Sequence, residues 1–138
     1  MKNKTFIIIL YLTSVLIVGC SKAKPDNIIK FNSPDPSIYY TVETYHGHGA
    51  MDSDYTWVYA HVERNGKTNR ELVLDGEYLK VTNIVWNDSH ENTICLDSGI
   101  TNIYRNEVTI SLDGKSETIY SHLEEHCKTS PAASPASK

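Results

Sequence analysis

The chain has 138 residues, with 13 Lys plus Arg against 17 Asp plus Glu and a formal net charge of −4. That length suits one small domain. The acid excess argues against a nucleic-acid partner, because phosphate binding needs a clustered positive patch, and here Arg64, Lys67, Arg70, Lys80 and Arg105 stand singly.

Lys2 and Lys4 give a positive start, and residues 6–18 (FIIILYLTSVLIV) are apolar apart from Thr13 and Ser14. A short apolar stretch behind a positive start and ahead of a small residue reads as an export signal. It is too short to span a bilayer, which takes about 20 residues. Ile17-Val18-Gly19-Cys20 closes the segment. These residues resemble the lipobox of bacterial lipoproteins, with Ile17 and Val18 at positions that usually hold Leu and then Ala or Ser. The resemblance implies cleavage before Cys20, a diacylglyceryl group on its thiol and a further acyl chain on its new amino group. Two or three acyl chains anchor stably where one holds only marginally. Ser21 stands where Asp would signal inner-membrane retention, so in a host with two membranes the resemblance implies the outer membrane, facing the periplasm. The competing reading is an ordinary cysteine near a plain secretory signal or a single-pass anchor.

Loss of residues 1–19 removes two lysines and no acid. Residues 20–33 then read as a lipidated tether, mostly polar and containing Pro25. Residues 34–127 form the globular part. Residues 128–138 (KTSPAASPASK) have no large apolar side chain to bury and read as a disordered tail.

The globular part reads as all-β. Residues 37–45 (SIYYTVETY) are β-branched and aromatic, and residues 55–63 (YTWVYAHVE) alternate with a period of two. Asn65-Gly66 signals a hairpin into residues 71–74. Asp75-Gly76 reads as a further turn. Residues 81–86 form a strand broken at Asn87-Asp88-Ser89, and residues 93–96 a short buried one. Residues 106–112 and 116–120 flank Asp113-Gly114, another hairpin signal. The spacing predicts an antiparallel meander of about six or seven strands, as a small sandwich or a single curved sheet. Ser121 to Glu124 matches a capping box, which predicts one short C-terminal helix over residues 121–127, with a continuing strand as the alternative.

Cys95 and Cys127 remain once Cys20 is lipidated, an even number in an exported chain, and read as a disulfide. Free thiols or a metal pair are the alternatives. His46 and His48 lie two apart near Asp52 and Asp54, and His122 and His126 lie four apart; both are imidazole pairs with metal-ligating spacing. The glycine-broken loop around His46 and His48 favours plain exposed imidazoles, so no metal and no cofactor is expected. No nucleophile elbow, phosphate loop or facing carboxylate pair is present, and no enzyme is expected. Tyr55, Trp57 and Tyr59, with His61, share one strand face. They read either as a partner surface, since tyrosine and tryptophan suit interfaces, or as the core face, with Thr56, Val58, Ala60 and Val62 packing under a second layer.

Ser33-Pro34-Asp35, Gly47 to Ala50, Tyr55 and Val85-Trp86-Asn87-Asp88 together are similar to a class of small bacterial all-β lipoproteins of unknown role. Immunity proteins of bacterial competition systems are also often exported lipoproteins of this size. The resemblance implies a non-catalytic role: binding another protein of the envelope, as an immunity protein or inhibitor does. A structural or assembly accessory of the cell surface and a metal-binding lipoprotein are the alternatives.

Overall fold

The computed structural model describes residues 24–47 and 53–127. The residues read as an export signal and as a C-terminal tail, with Cys20, His48 and Asp52, lie outside the described residues. The chain forms seven strands: β1 (Asn27–Asn32), β2 (Ile38–Tyr45), β3 (Tyr55–Arg64), β4 (Lys67–Trp86), β5 (Glu91–Tyr104), β6 (Glu107–Leu112) and β7 (Lys115–Glu125). They make one sheet in the order β1-β2-β3-β4-β5-β7-β6. The all-β expectation holds, in a single curved sheet.

The turn chemistry explains the two tightest connections. Asn65 and Gly66 have φ of 52° and 73°, and Asp113 and Gly114 have 52° and 75°. Two successive positive φ values are what a two-residue hairpin with native strand twist requires. Each joins strands directly, β3 to β4 and β6 to β7.

Four expectations are corrected. First, β7 lies between β5 and β6 and pairs with β5 in parallel (Glu91↔Tyr120 to Leu96↔Glu125), so the meander ends in a crossover and the sheet is mixed. Second, residues 121–125 continue β7 and no helix forms among the described residues. The Ser121 hydroxyl is buried against the Tyr40 hydroxyl at 2.6 Å instead of capping a helix. Third, Asp75-Gly76 is not a turn but the middle of the long strand β4. Fourth, β1 falls inside the segment read as a tether. It is an edge strand with a largely exposed surface, so it carries little of the alternation that marks a strand with a buried face.

β4 and β5 are bent where their register slips, between Asp75 and Gly76 and at three further points up to Asn83. Such bulges add twist and curvature. The sheet curls until the β6–β7 end meets the β3–β4 hairpin. There Lys67 Nζ lies 2.8 Å from Asp113 Oδ1, Asn69 Nδ2 donates to the Ser111 carbonyl at 2.9 Å, and Arg64 pairs with Glu117. Inside the curl sits the core: Ile38, Tyr40 and Val42 of β2, Val58, Ala60 and Val62 of β3, and Val73, Leu74 and Leu79 of β4. Ile84, Ile94, Leu96, Val108, Ile110 and Ile119 complete it. Cys95 and Cys127 form a disulfide that ties the end of β7 to β5.

Candidate functional site

Strand pleating sends alternate residues of β3 to opposite faces. Thr56, Val58, Ala60 and Val62 are buried in the curl, whereas Tyr55, Trp57 and Tyr59 are half-buried on the outer face. The core-face reading of the aromatics is therefore corrected. Small side chains suffice inside because Tyr40 and Leu74 stand beside them on the neighbouring strands and the curl brings Ile110 to meet them.

The outer face is built by register. Tyr39, Thr41, Glu43 and Tyr45 of β2 stand opposite His61, Tyr59, Trp57 and Tyr55 of β3. On the far side of β2, Ile28 stands opposite Glu43 and Lys30 opposite Thr41. On the far side of β3, Arg70 stands opposite His61. The result is a continuous aromatic ladder. Tyr55 meets Trp57 edge-on at 6.0 Å, Trp57 meets Tyr59 at 6.3 Å, and Tyr59 meets His61 at 6.4 Å. His61 in turn stacks on Tyr39 at 4.6 Å, and Tyr45 leans on Trp57 at 4.7 Å. Such pairs each add about 0.5–1.5 kcal/mol beyond burial.

One part of the ladder is already capped by the protein's own cations. Lys30 Nζ lies 3.6 Å over the Tyr39 ring and the Arg70 guanidinium 4.0 Å over Tyr59, both cation–π contacts. The other part is open. Tyr45, Tyr55, Trp57 and Tyr59, with Ile28, Lys24, Pro25, Glu43 and Arg70, line a groove of about 770 Å³.

Glu43 forms the groove's polar floor. Its carboxylate accepts from Arg70 Nη1 at 2.6 Å and from the Tyr45 hydroxyl at 3.1 Å, although Glu43 is buried. Burial and the neighbouring carboxylate push the Tyr45 hydroxyl up to about 12, so it stays a donor. His61 is pushed down to about 4, first by burial and then by the charges of Arg70 and Lys30, against the opposing pull of Glu43. A neutral ring offers one N–H. His61 Nε2 lies 2.8 Å from Thr41 Oγ1, Thr41 Oγ1 lies 3.5 Å from Glu43 Oε1, and Nδ1 has no partner. The arrangement that leaves only a lone pair unmet runs His61 N–H to Thr41 and Thr41 O–H to Glu43. These groups are committed to one another and hold the rings in place.

The other sequence candidates do not converge. His46 Nδ1 pairs with Asp54 at 2.9 Å on the surface, and this partner raises the imidazole. His122 pairs with Glu91 at 3.1 Å and His126 with Asp97 at 3.8 Å. Among the described residues no three His, Cys, Asp or Glu side chains are grouped to hold a metal ion.

Ser89, His90 and Glu117 line up in hydrogen-bond order, at 3.0 Å and 2.8 Å. The amides of His90 and Glu91, however, both donate to the Asp88 carboxylate, at 2.6 and 2.8 Å. A developing oxyanion would find a negative charge there in place of free donors.

Sequence reasoning named Tyr55, Trp57 and Tyr59 and missed Tyr39, Glu43, Tyr45 and Arg70. The signal for the first three was the period of two in IYYTVETY, whose outer positions are all polar or phenolic. Arg70 had none. No family model, no curated protein and no solved structure matches the chain.

Proposed function

We propose that this protein is a lipid-anchored, non-catalytic binding protein of the bacterial cell envelope, whose outer aromatic face receives another protein, in the manner of an immunity protein or inhibitor. The observation that carries the reading is the open groove itself. Half-exposed Tyr and Trp rings, held by mutual stacking on paired strands, are the residue types that dominate interface energetics. They are also preorganised, so a partner is met without a large ordering cost. Glu43, Thr41 and the Tyr45 hydroxyl beneath them already have partners, which suits recognition better than chemistry. The lipobox-like end at Cys20 supports placement on a membrane, the outer one facing the periplasm where the host has two.

The test is site-specific photo-crosslinking from position 55 in the native host, followed by identification of the adduct. A single protein species, lost in Trp57→Ala while the fold is kept, is expected. Crosslinks unchanged by Trp57→Ala would refute the reading. Cys20→Ala should abolish incorporation of labelled fatty acid.

A further inference from the structure

We infer that, when no protein partner is bound, the aromatic groove docks on the interface of the bilayer to which the chain is anchored. The inference rests on acylation of Cys20, the anchoring half of the function proposed above.

The first argument is reach. Lys24 and Pro25 are themselves part of the groove lining. Lys24 is four residues from Cys20, and an extended chain spans at most about 3.5 Å per residue, so the link is no longer than about 14 Å. A free arm running to residue 33 would have let the domain turn any face to the membrane. Because β1 is locked into the sheet from Asn27, that freedom is cut to the short link before Lys24. The anchored sulfur can lie no farther than this short link from the groove's own edge.

The second argument is chemistry. Trp and Tyr collect at membrane–water interfaces, where an apolar ring body and a polar tip meet both media. The groove presents Trp57 and three tyrosines, and Ile28 beside them is 54 % exposed. The third is charge. The lining carries two cations, Lys24 and Arg70, against one acid, Glu43, in a chain whose overall charge is −4. Glu43 is buried and paired with Arg70, and Lys30 adds a further cation over Tyr39. Asp75 and Glu77 of β4 stand opposite Trp57 and Tyr55, so the positive charge lies on the β1 side, at Lys24 and Lys30, which is the side next to the anchor and the one that favours contact with anionic headgroups. In this arrangement the bilayer covers the rings until a protein partner displaces it.

The experiment uses the acylated full-length protein in phosphatidylethanolamine–phosphatidylglycerol vesicles, with and without lipids brominated near the headgroup end of their chains. The chain has two tryptophans. Trp86 packs edge-on against Tyr40 of the core at 5.4 Å, so it serves as the internal control. Bromolipid should quench Trp57. Quenching should persist in Trp86→Phe and vanish in Trp57→Phe. A Gly/Ser insertion of about 20 residues between positions 23 and 24, adding about 25 Å of reach, should weaken quenching with fatty-acid labelling intact. Lys24→Glu with Lys30→Glu should weaken it in the same vesicles. Unquenched Trp57 in protein that mass spectrometry shows to be acylated overturns this inference and leaves the anchor standing, with the groove open to protein. Absence of any acyl chain overturns the anchor reading and the inference with it.

Discussion

Arg70 Nη1 lies 2.6 Å from Glu43 Oε1, and the same guanidinium covers Tyr59. One side chain therefore neutralises a buried carboxylate and closes one part of the aromatic ladder. Removing a partner from a buried pair costs about 3–5 kcal/mol, because the charge left behind is unmet. Arg70 is half exposed and water would reach part of the gap. Arg70→Met should therefore cost about 2 kcal/mol in urea denaturation. Arg70→Met/Glu43→Gln should recover most of that loss. A single variant as stable as the parent would mean that Glu43 is solvated in solution.

His61 should make the fold acid-sensitive in a defined window. Burial and nearby cations hold its folded value at about 4, below the ordinary imidazole value of 6.5. The unfolded chain therefore binds the proton first. Stability is full above pH 6.5 and falls as the pH drops from 6.5 toward 4. The loss is at most about 3 kcal/mol. His46 acts in the opposite sense: Asp54 raises it, so its small contribution is present at low pH and fades as the pH rises. Asp35, Asp97 and Glu117 are lowered and act only below the ordinary carboxylate range. Denaturation midpoints at pH 7.5 and 5 should therefore converge in His61→Phe, which keeps the stack on Tyr39. An unchanged pH slope in that variant would contradict the assignment.

The Cys95–Cys127 bridge spans 32 positions. By chain entropy a loop of that length is stabilised by about 3.7 kcal/mol. The bridge joins β5 to the chain just beyond the end of β7, the only parallel seam among the described residues. Reduction should lower the denaturation midpoint accordingly, and amide exchange should speed up first at Leu123 to Glu125. Two thiols alkylated without reductant would show the bridge absent.

Much of this architecture was legible, and the exceptions share a cause. The hairpin dipeptides and the alternation of β3 are local signals, and locally they were right. The face of β3 that became core was not local. Its small Val-Ala-Val side depends on Tyr40 standing beside Ala60 on β2 and on Ile110 arriving across the curl, and no short window shows that. The C-terminal helix failed for the same reason, since Ser121 satisfies its hydroxyl on Tyr40, 81 positions away. The groove needed Arg70 and Tyr45 brought together across the sheet, so only its β3 wall could be read in advance.

Asp75-Gly76 misled most directly, because its glycine serves a contact and not a turn. A Cβ at Gly76 would lie 2.0 Å from the Ile100 carbonyl oxygen, and one at Gly99 would lie 2.3 Å from the Leu79 Cα. These glycines mark where β4 and β5 press together as the register slips. Gly99 also has φ of +117°, which L side chains rarely adopt. Gly99→Ala therefore combines backbone strain with a backbone clash that no rotamer relieves, and should cost more than about 3 kcal/mol. Gly114 is the matched comparison. It too has positive φ, at +75°, but no atom lies within 4 Å of its added Cβ. Gly114→Ala should cost only about 1 kcal/mol, the strain alone. Equal losses for the two variants in urea denaturation would mean that the strands do not approach at Gly99, and the bend that curls the sheet would need another source.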